Sequence, residues 1–154
     1  MKASKMKGNE ASVGWLMERL GVSAAAIDGS FSARFRVQKA AFLPRHLGVK
    51  PFTSLGFGLY IHGPYSGTLA EWYYKAKPGG EASLSPGILA KLDWFMDNSE
   101  SWIEVASAII SLKESRGGIS DEDLSGALRV SKPWVTDHMA EKVLGELRSQ
   151  NLIR

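Results

Sequence analysis

The chain has 154 residues, 44% apolar and 23% charged, with no cysteine and a formal net charge of +3. Such a composition suits a globular fold with a sizeable core, and it excludes disulfides and a thiolate metal site. Apolar runs such as VASAII (105–110) fall well short of the roughly 20 residues that a membrane helix needs, and MKASKMKGNE has no apolar signal-peptide core, so the expectation is a cytoplasmic protein with no membrane partner.

Residues 1–11 are predicted as a flexible basic tail. Val13, Leu16, Met17 and Leu20 then recur at helical spacing, with Ser12 as a cap and Gly21 as a stop. Residues 31–47 predict a second helix with Phe31, Phe35, Gln38 and Phe42 on one face. Pro44 lacks an N–H and should bend or end it. Arg36 and Lys39, three apart, are expected to project together.

LGFGLYIH (55–62) alternates Phe57, Leu59 and Ile61 with Gly58, Tyr60 and His62, the pattern of one strand. Gly63-Pro64-Tyr65-Ser66 reads as the turn out of it, and Ser66 or Thr68 caps a helix to about residue 75. Lys77-Pro78-Gly79-Gly80 is a loop. The second half is predicted helical. Ser85-Pro86 opens one helix, Ser101 with Glu104 a second, and Ser120 with Asp123 a third, short one through Leu128. Ser131-Lys132-Pro133 opens the last, long helix, and Leu152-Ile153 suggests a short final strand.

The expected fold is therefore mainly α with a small β component. A helical part with one strand and the Gly-Pro-Tyr-Ser turn (12–80) packs on a winged-helix-like three-helix part (81–154), the whole making one compact domain.

Three kinds of chemistry compete on this scaffold. Residues 1–70 hold nine basic and three acidic residues, and residues 71–154 hold ten and thirteen, giving balances of +6 and −3. Arg34, Arg36, Lys39, Arg45 and Lys50 stand in a stretch free of acids, a nucleic-acid footprint if one exists. The last helix carries Asp137, Glu141 and Glu146 against Lys142 and Arg148, a charge that phosphates would repel.

A hydrolase or transferase centred on His62 and Ser66 is the second option. The serine stands one place late for a nucleophile elbow, however, and no acid near in sequence orients His62. The plainer account is a turn in which Tyr65 packs and Ser66 caps. His46, His62 and His138 share no ligand spacing, and no phosphate-binding glycine motif is present, so neither metal nor cofactor is expected. An anion is also conceivable on the helix start after Gly63, helped by Arg36 or Lys39. The third option is protein binding. Trp72, Tyr73 and Tyr74 are consecutive and cannot share one helix face, and Trp134 adjoins Pro133; such aromatics suit an interface, with core filling as the alternative.

RVQKAAFL (36–43), FGLYIHGPYSGTLAEW (57–72) and the two segments WIEVASAIISLKE and SKPWVTDHMAEKVLGELRSQNLI resemble the YwgA-like prokaryotic family over most of 12–153. A more distant likeness is to Panacea-domain (SocA-like) proteins. This chain departs from the pattern at Pro44 and at His62, where an aromatic is common. The resemblance implies an antitoxin- or adaptor-like protein that binds another protein, with Gln38, Lys39, Gly63, Pro64, Tyr65 and Ser66 as the binding positions to watch; Arg36 and His62 join them as candidate binding residues from the residue reading. The reading is thus a non-enzymatic binding or regulatory protein whose partner is another protein, with nucleic acid as the alternative and a homodimer compatible with the sequence.

Overall fold

The computed structural model describes the backbone from residue 2 to 154 and side chains from residue 9 onward. Eight α-helices carry 65% of the chain, with one two-stranded antiparallel sheet among the described residues. In order they are α1 (Lys2–Leu20), α2 (Ala24–Gly29), α3 (Phe31–His46), β1 (Gly58–Tyr60), β2 (Gly63–Tyr65), α4 (Gly67–Tyr73), α5 (Pro86–Met96), α6 (Glu100–Ser115), α7 (Asp121–Ser131) and α8 (Asp137–Ser149).

Two helices organise the molecule. Helix α3 buries ten consecutive or near-consecutive side chains between Ala33 and Pro44, because α1, α2, α4, α5, α6 and β2 all pack on it. Helix α6 buries Ile103 and everything from Val105 to Ile110, and meets α3, β2, α7 and α8. A helix apolar on most faces belongs in the interior. One cluster of buried side chains runs from Val13 to Leu152, so the two halves share a core.

Local chemistry explains most element boundaries, and it moves several of the predicted ones. Helix α1 starts at Lys2, not at Ser12; Ser12 lies inside it, 4% exposed. The expected tail is helical backbone, since Lys, Ala, Met and Glu are good helix formers and no proline interrupts them. Helix α2 went unforeseen; Ser23 caps it by accepting from the Ala26 N–H, and Ser30 both ends it and caps α3. Pro44 neither kinks off a separate turn nor ends α3, which continues to His46. Its missing N–H falls within the last turn, where little helix remains to be disrupted.

Helix α6 is capped by Ser99 rather than Ser101. Asn98 closes α5 by donating to the Trp94 and Phe95 carbonyls, which leaves the next residue free to start the new helix. Helix α7 runs on to Ser131, and α8 begins only at Asp137 under a Thr136 cap, so Pro133 is not a helix start. Between them the chain turns through a Val135 N–H to Lys132 carbonyl bond and buries Val135.

No strand follows α8 among the described residues, so α6, α7 and α8 make a three-helix unit without a wing. Asn151 sits at φ 56° and the Leu152 N–H returns to the Leu147 carbonyl, a capping arrangement that folds the end back instead of extending it. Near the chain's middle, the Gly79 N–H bonds the Gly14 carbonyl. A Cβ on Gly14 would stand 2.0 Å from the Gly79 carbonyl oxygen, so this loop rests directly on the α1 backbone.

Candidate functional site

The segment expected as strand then turn is a hairpin. Gly58 pairs with Tyr65, Leu59 with Pro64 and Tyr60 with Gly63, and Ile61-His62 is the two-residue loop. Gly63-Pro64-Tyr65 is therefore the second strand, not the turn. The expected apolar face is not buried either: Leu59 is 44% and Ile61 69% exposed. The opposite face carries both tyrosines, which meet edge to face at 5.6 Å across the hairpin. Gly63 has φ 94°, and a Cβ there would lie 3.1 Å from Ser107 Oγ and 3.3 Å from Lys39 Cε. Only glycine suits both the backbone and the space.

Four polar side chains hold this hairpin to the core. Gln38, 1% exposed, donates from Nε2 to the Ser66 carbonyl at 2.9 Å and accepts the Ser66 N–H on Oε1 at 2.8 Å. Lys39, 2% exposed, donates to the Pro64 carbonyl at 2.8 Å. Lys132, 1% exposed, donates to the Ile61 carbonyl at 2.6 Å and to Glu104 Oε2 at 3.1 Å. The other oxygen of Glu104 faces His62 Nδ1 at 3.0 Å. A short hairpin leaves many backbone groups without partners; Gln38, Lys39 and Lys132 supply them from α3 and the α7–α8 connection, and Glu104 on α6 holds the Lys132 and His62 side chains.

Two buried ammonium groups beside one carboxylate set the local electrostatics. Burial pushes Lys39 down to about 8; Glu104 opposes this and Lys132 adds to it. The Lys39 ammonium also stands 4.7 Å from the Phe35 ring centroid. Burial raises the Tyr73 hydroxyl to about 12, against the pull of Gln38 and with smaller contributions from Tyr65 and Tyr74.

Above the turn of α3 that carries Gln38 and Lys39 lies a cavity of about 520 Å³. Phe31, Phe35, Tyr60, Tyr65, Tyr73 and Tyr74 form its aromatic wall. Arg34, Gln38, Lys39 and His62 supply its polar groups. His62 stands edge-on to Phe31 at 5.0 Å.

The predicted site residues do not all gather here. Gln38, Lys39, His62, Gly63 and Tyr65 line the cavity, and Pro64 and Ser66 lie directly behind through their backbone bonds. Arg36 departs from Lys39 and faces a separate groove with Arg19, Asp93 and Asp97, its Nε buried with no hydrogen-bond partner. Three residues along a helix are still about 60° apart in angle, enough to send one side chain to α1 and α5 and the other to the hairpin. Tyr73 is buried at 2% exposure, Trp72 is half-buried under Lys75, and Tyr74 is 56% exposed, so only Tyr74 of the three is a surface aromatic. Trp134 is exposed but lies outside the cavity.

The five basic residues proposed for nucleic acid do not make one free face. Lys39 is buried, Arg34 donates to the Ile27 and Asp28 carbonyls, Arg45 pairs with Glu114, and Arg36 sits in its groove. Lys50 is the exposed one. For catalysis, the structure gives His62 the carboxylate that the sequence did not reveal. Ser66, however, is fully buried, and its hydroxyl accepts the Leu69 N–H as the α4 cap. A nucleophile there would be out of reach of solvent and substrate. The helix start after Gly63 is only seven residues long and already capped, so the anion expected on it has no seat.

Glu104 and Lys132 were missed as site residues. Each carried a faint signal: an acid within the apolar stretch of a helix, flanked by Ile103 and Val105, and a lysine before a proline between two helices. Their separations from the hairpin, 42 residues for Glu104 to His62 and 71 for Lys132 to Ile61, hid the meeting. Among the described residues no group of three or more acidic, histidine or cysteine side chains is placed to hold a metal ion, and no helix is long and apolar enough to cross a membrane. Comparisons with protein-family models, with curated proteins and with solved structures find no match for this chain.

Proposed function

We propose that this chain is a non-catalytic binding or regulatory protein of the cytoplasm that docks another protein in the manner of an antitoxin or adaptor, as its likeness to YwgA-like and Panacea-domain proteins implies. One observation supports the reading most. Eight large apolar side chains are exposed among the described residues, and five of them (Phe31, Tyr60, Ile61, Tyr65 and Tyr74) line the one cavity beside the hairpin. Scattered exposed hydrophobes are ordinary, but clustered aromatics around a rigid concavity are the usual composition of an interface core. The hairpin that presents Tyr60, Ile61 and Tyr65 is fixed by the buried Gln38, Lys39 and Lys132 and by the half-buried Glu104, so the surface is preorganised.

The test is a nuclease-treated pull-down from the host with wild type, Ile61→Asp and the exposed control Lys77→Glu. One stoichiometric protein retained by wild type and by Lys77→Glu, and lost with Ile61→Asp, is the expected result. Equal retention by Ile61→Asp, or recovery that disappears with nuclease, would overturn it.

A further inference from the structure

The aromatic cavity has a charge that a purely apolar docking groove does not need. Its charged or chargeable lining groups from α3 are Arg34 and Lys39, and from the hairpin His62 and two tyrosine hydroxyls; Tyr73 at the end of α4 and Tyr74 just after it add two more. No carboxylate lines it among the described residues. The nearby acid, Glu104, stands behind the hairpin, engaged by Lys132 and His62. We propose that this cavity is a binding site for a small aromatic carboxylate, its ring between the phenylalanine and tyrosine faces and its carboxylate on the Lys39 ammonium.

Size, walls and floor agree on that class. A volume of about 520 Å³ is in the ordinary range of small-ligand sites and exceeds what one water or ion requires. The wall consists of six aromatic rings, which favour a flat apolar body. An ammonium carries three N–H donors, and Lys39 has one hydrogen-bond acceptor, the Pro64 carbonyl, among the described residues. Its depth, 2% exposed, makes a charge-assisted bond from a carboxylate far stronger than it would be in water. Arg34 adds positive charge, with Nη1 held by the Ile27 and Asp28 carbonyls. A cationic ligand would meet Lys39 and Arg34 with nothing to offset them.

Protonation of Lys39 then governs affinity. Burial lowers it to about 8, so the ammonium form dominates at neutral pH and is lost above. Glu104 behind it favours the charged form and Lys132 disfavours it, while Tyr73 at about 12 remains a hydroxyl throughout. Affinity for a carboxylate should fall as pH rises through about 8 and recover on return.

The probe is 2-naphthoate, titrated calorimetrically into the purified full chain, with 2-naphthamide as its uncharged counterpart. The amide is expected to bind about tenfold or more weakly, the scale of one charge-assisted hydrogen bond. Tyr60→Ala, at an exposed position, should weaken naphthoate while the far-ultraviolet circular dichroism stays that of wild type. Lys39→Met should abolish the preference for the acid. Because Lys39 also holds the hairpin, a wild-type series from about pH 7.5 to about pH 9.5, above the ordinary histidine range, tests the same group without substitution. Equal binding of acid and amide, naphthoate affinity flat across that range, or no naphthoate heat at all would each overturn the proposal. The measurement needs no partner protein, so its failure leaves the pull-down result standing, and the reverse.

Discussion

Gln38 shows how much one side chain can fix. Its amide meets both the N–H and the carbonyl of Ser66, at the point where the hairpin becomes α4. Ser66 is fully buried, and its carbonyl also accepts the Ala70 N–H, so removing the amide leaves the Ser66 N–H as the one unpaired group. Gln38→Leu keeps most of the volume and is expected to lower stability by about 1–3 kcal/mol, the desolvation penalty of that one orphaned donor. Urea unfolding would show a lower midpoint at unchanged slope. Gln38 and Lys39 were legible as a pair of interest in the sequence, and Ser66 as a cap, because caps and polar residues in apolar faces leave local marks. That Gln38 serves the backbone of Ser66, and that Ser66 is thereby hidden from chemistry, depended on a contact 28 residues away.

At the scale of elements, the hairpin is the part that needs help. Two three-residue strands with three exposed positions in the first cannot stand alone. Glu104 on α6 and Lys132 after α7 hold its tip, and each neutralises the other in a nearly dry setting, with side chains 13% and 1% exposed. Lys132→Met alone should cost about 3–5 kcal/mol, since it strands a shielded carboxylate. Adding Glu104→Leu should restore part of that loss, giving a coupling of about 1–3 kcal/mol in a double-mutant cycle measured by denaturant unfolding. If the two losses simply add, the pair does not act as a unit. Helix periodicity exposed the apolar faces of α5 and α6 in advance, and Ser85 and Ser120 marked the starts of α5 and α7. The starts of α6 and α8 slipped because Ser99 competed with Ser101 and Thr136 with Pro133, choices made by neighbouring contacts rather than by the residues alone.

Across the whole molecule, α3 is tied to the chain's end through His46. Its Nδ1 stands 2.5 Å from Glu114 on α6, and its Nε2 2.8 Å from the Leu152 carbonyl, beside the Arg45–Glu114 pair. Burial alone would lower His46, but the Glu114 carboxylate and the Leu152 carbonyl outweigh it and raise it. Burial likewise would raise Glu114, and His46 and Arg45 outweigh it and lower it. A raised histidine contributes stability in full below its unfolded value, near 6.5, and loses it as pH climbs through the folded value. A lowered carboxylate contributes above its unfolded value and loses it as pH falls through the folded one. The tie is therefore strongest in mildly acidic solution. The stability gap between wild type and His46→Gln should be wider at about pH 5.5 than at about pH 9, and thermal melts at the two values check it. What the sequence by itself determined was the mainly helical class, the central place of α6, the capping serines Ser66, Ser85 and Ser120 and a special segment around His62 to Ser66. Those follow from periodicity and from short-range hydrogen bonding, which act within a few residues. Only the tertiary structure decided that the special segment is a hairpin, that Lys39 and Arg36 part company, and that Glu104 and Lys132 belong to the site. Each of those outcomes is a pairing of buried polar groups over long separations, and the partner is fixed by how the helices pack.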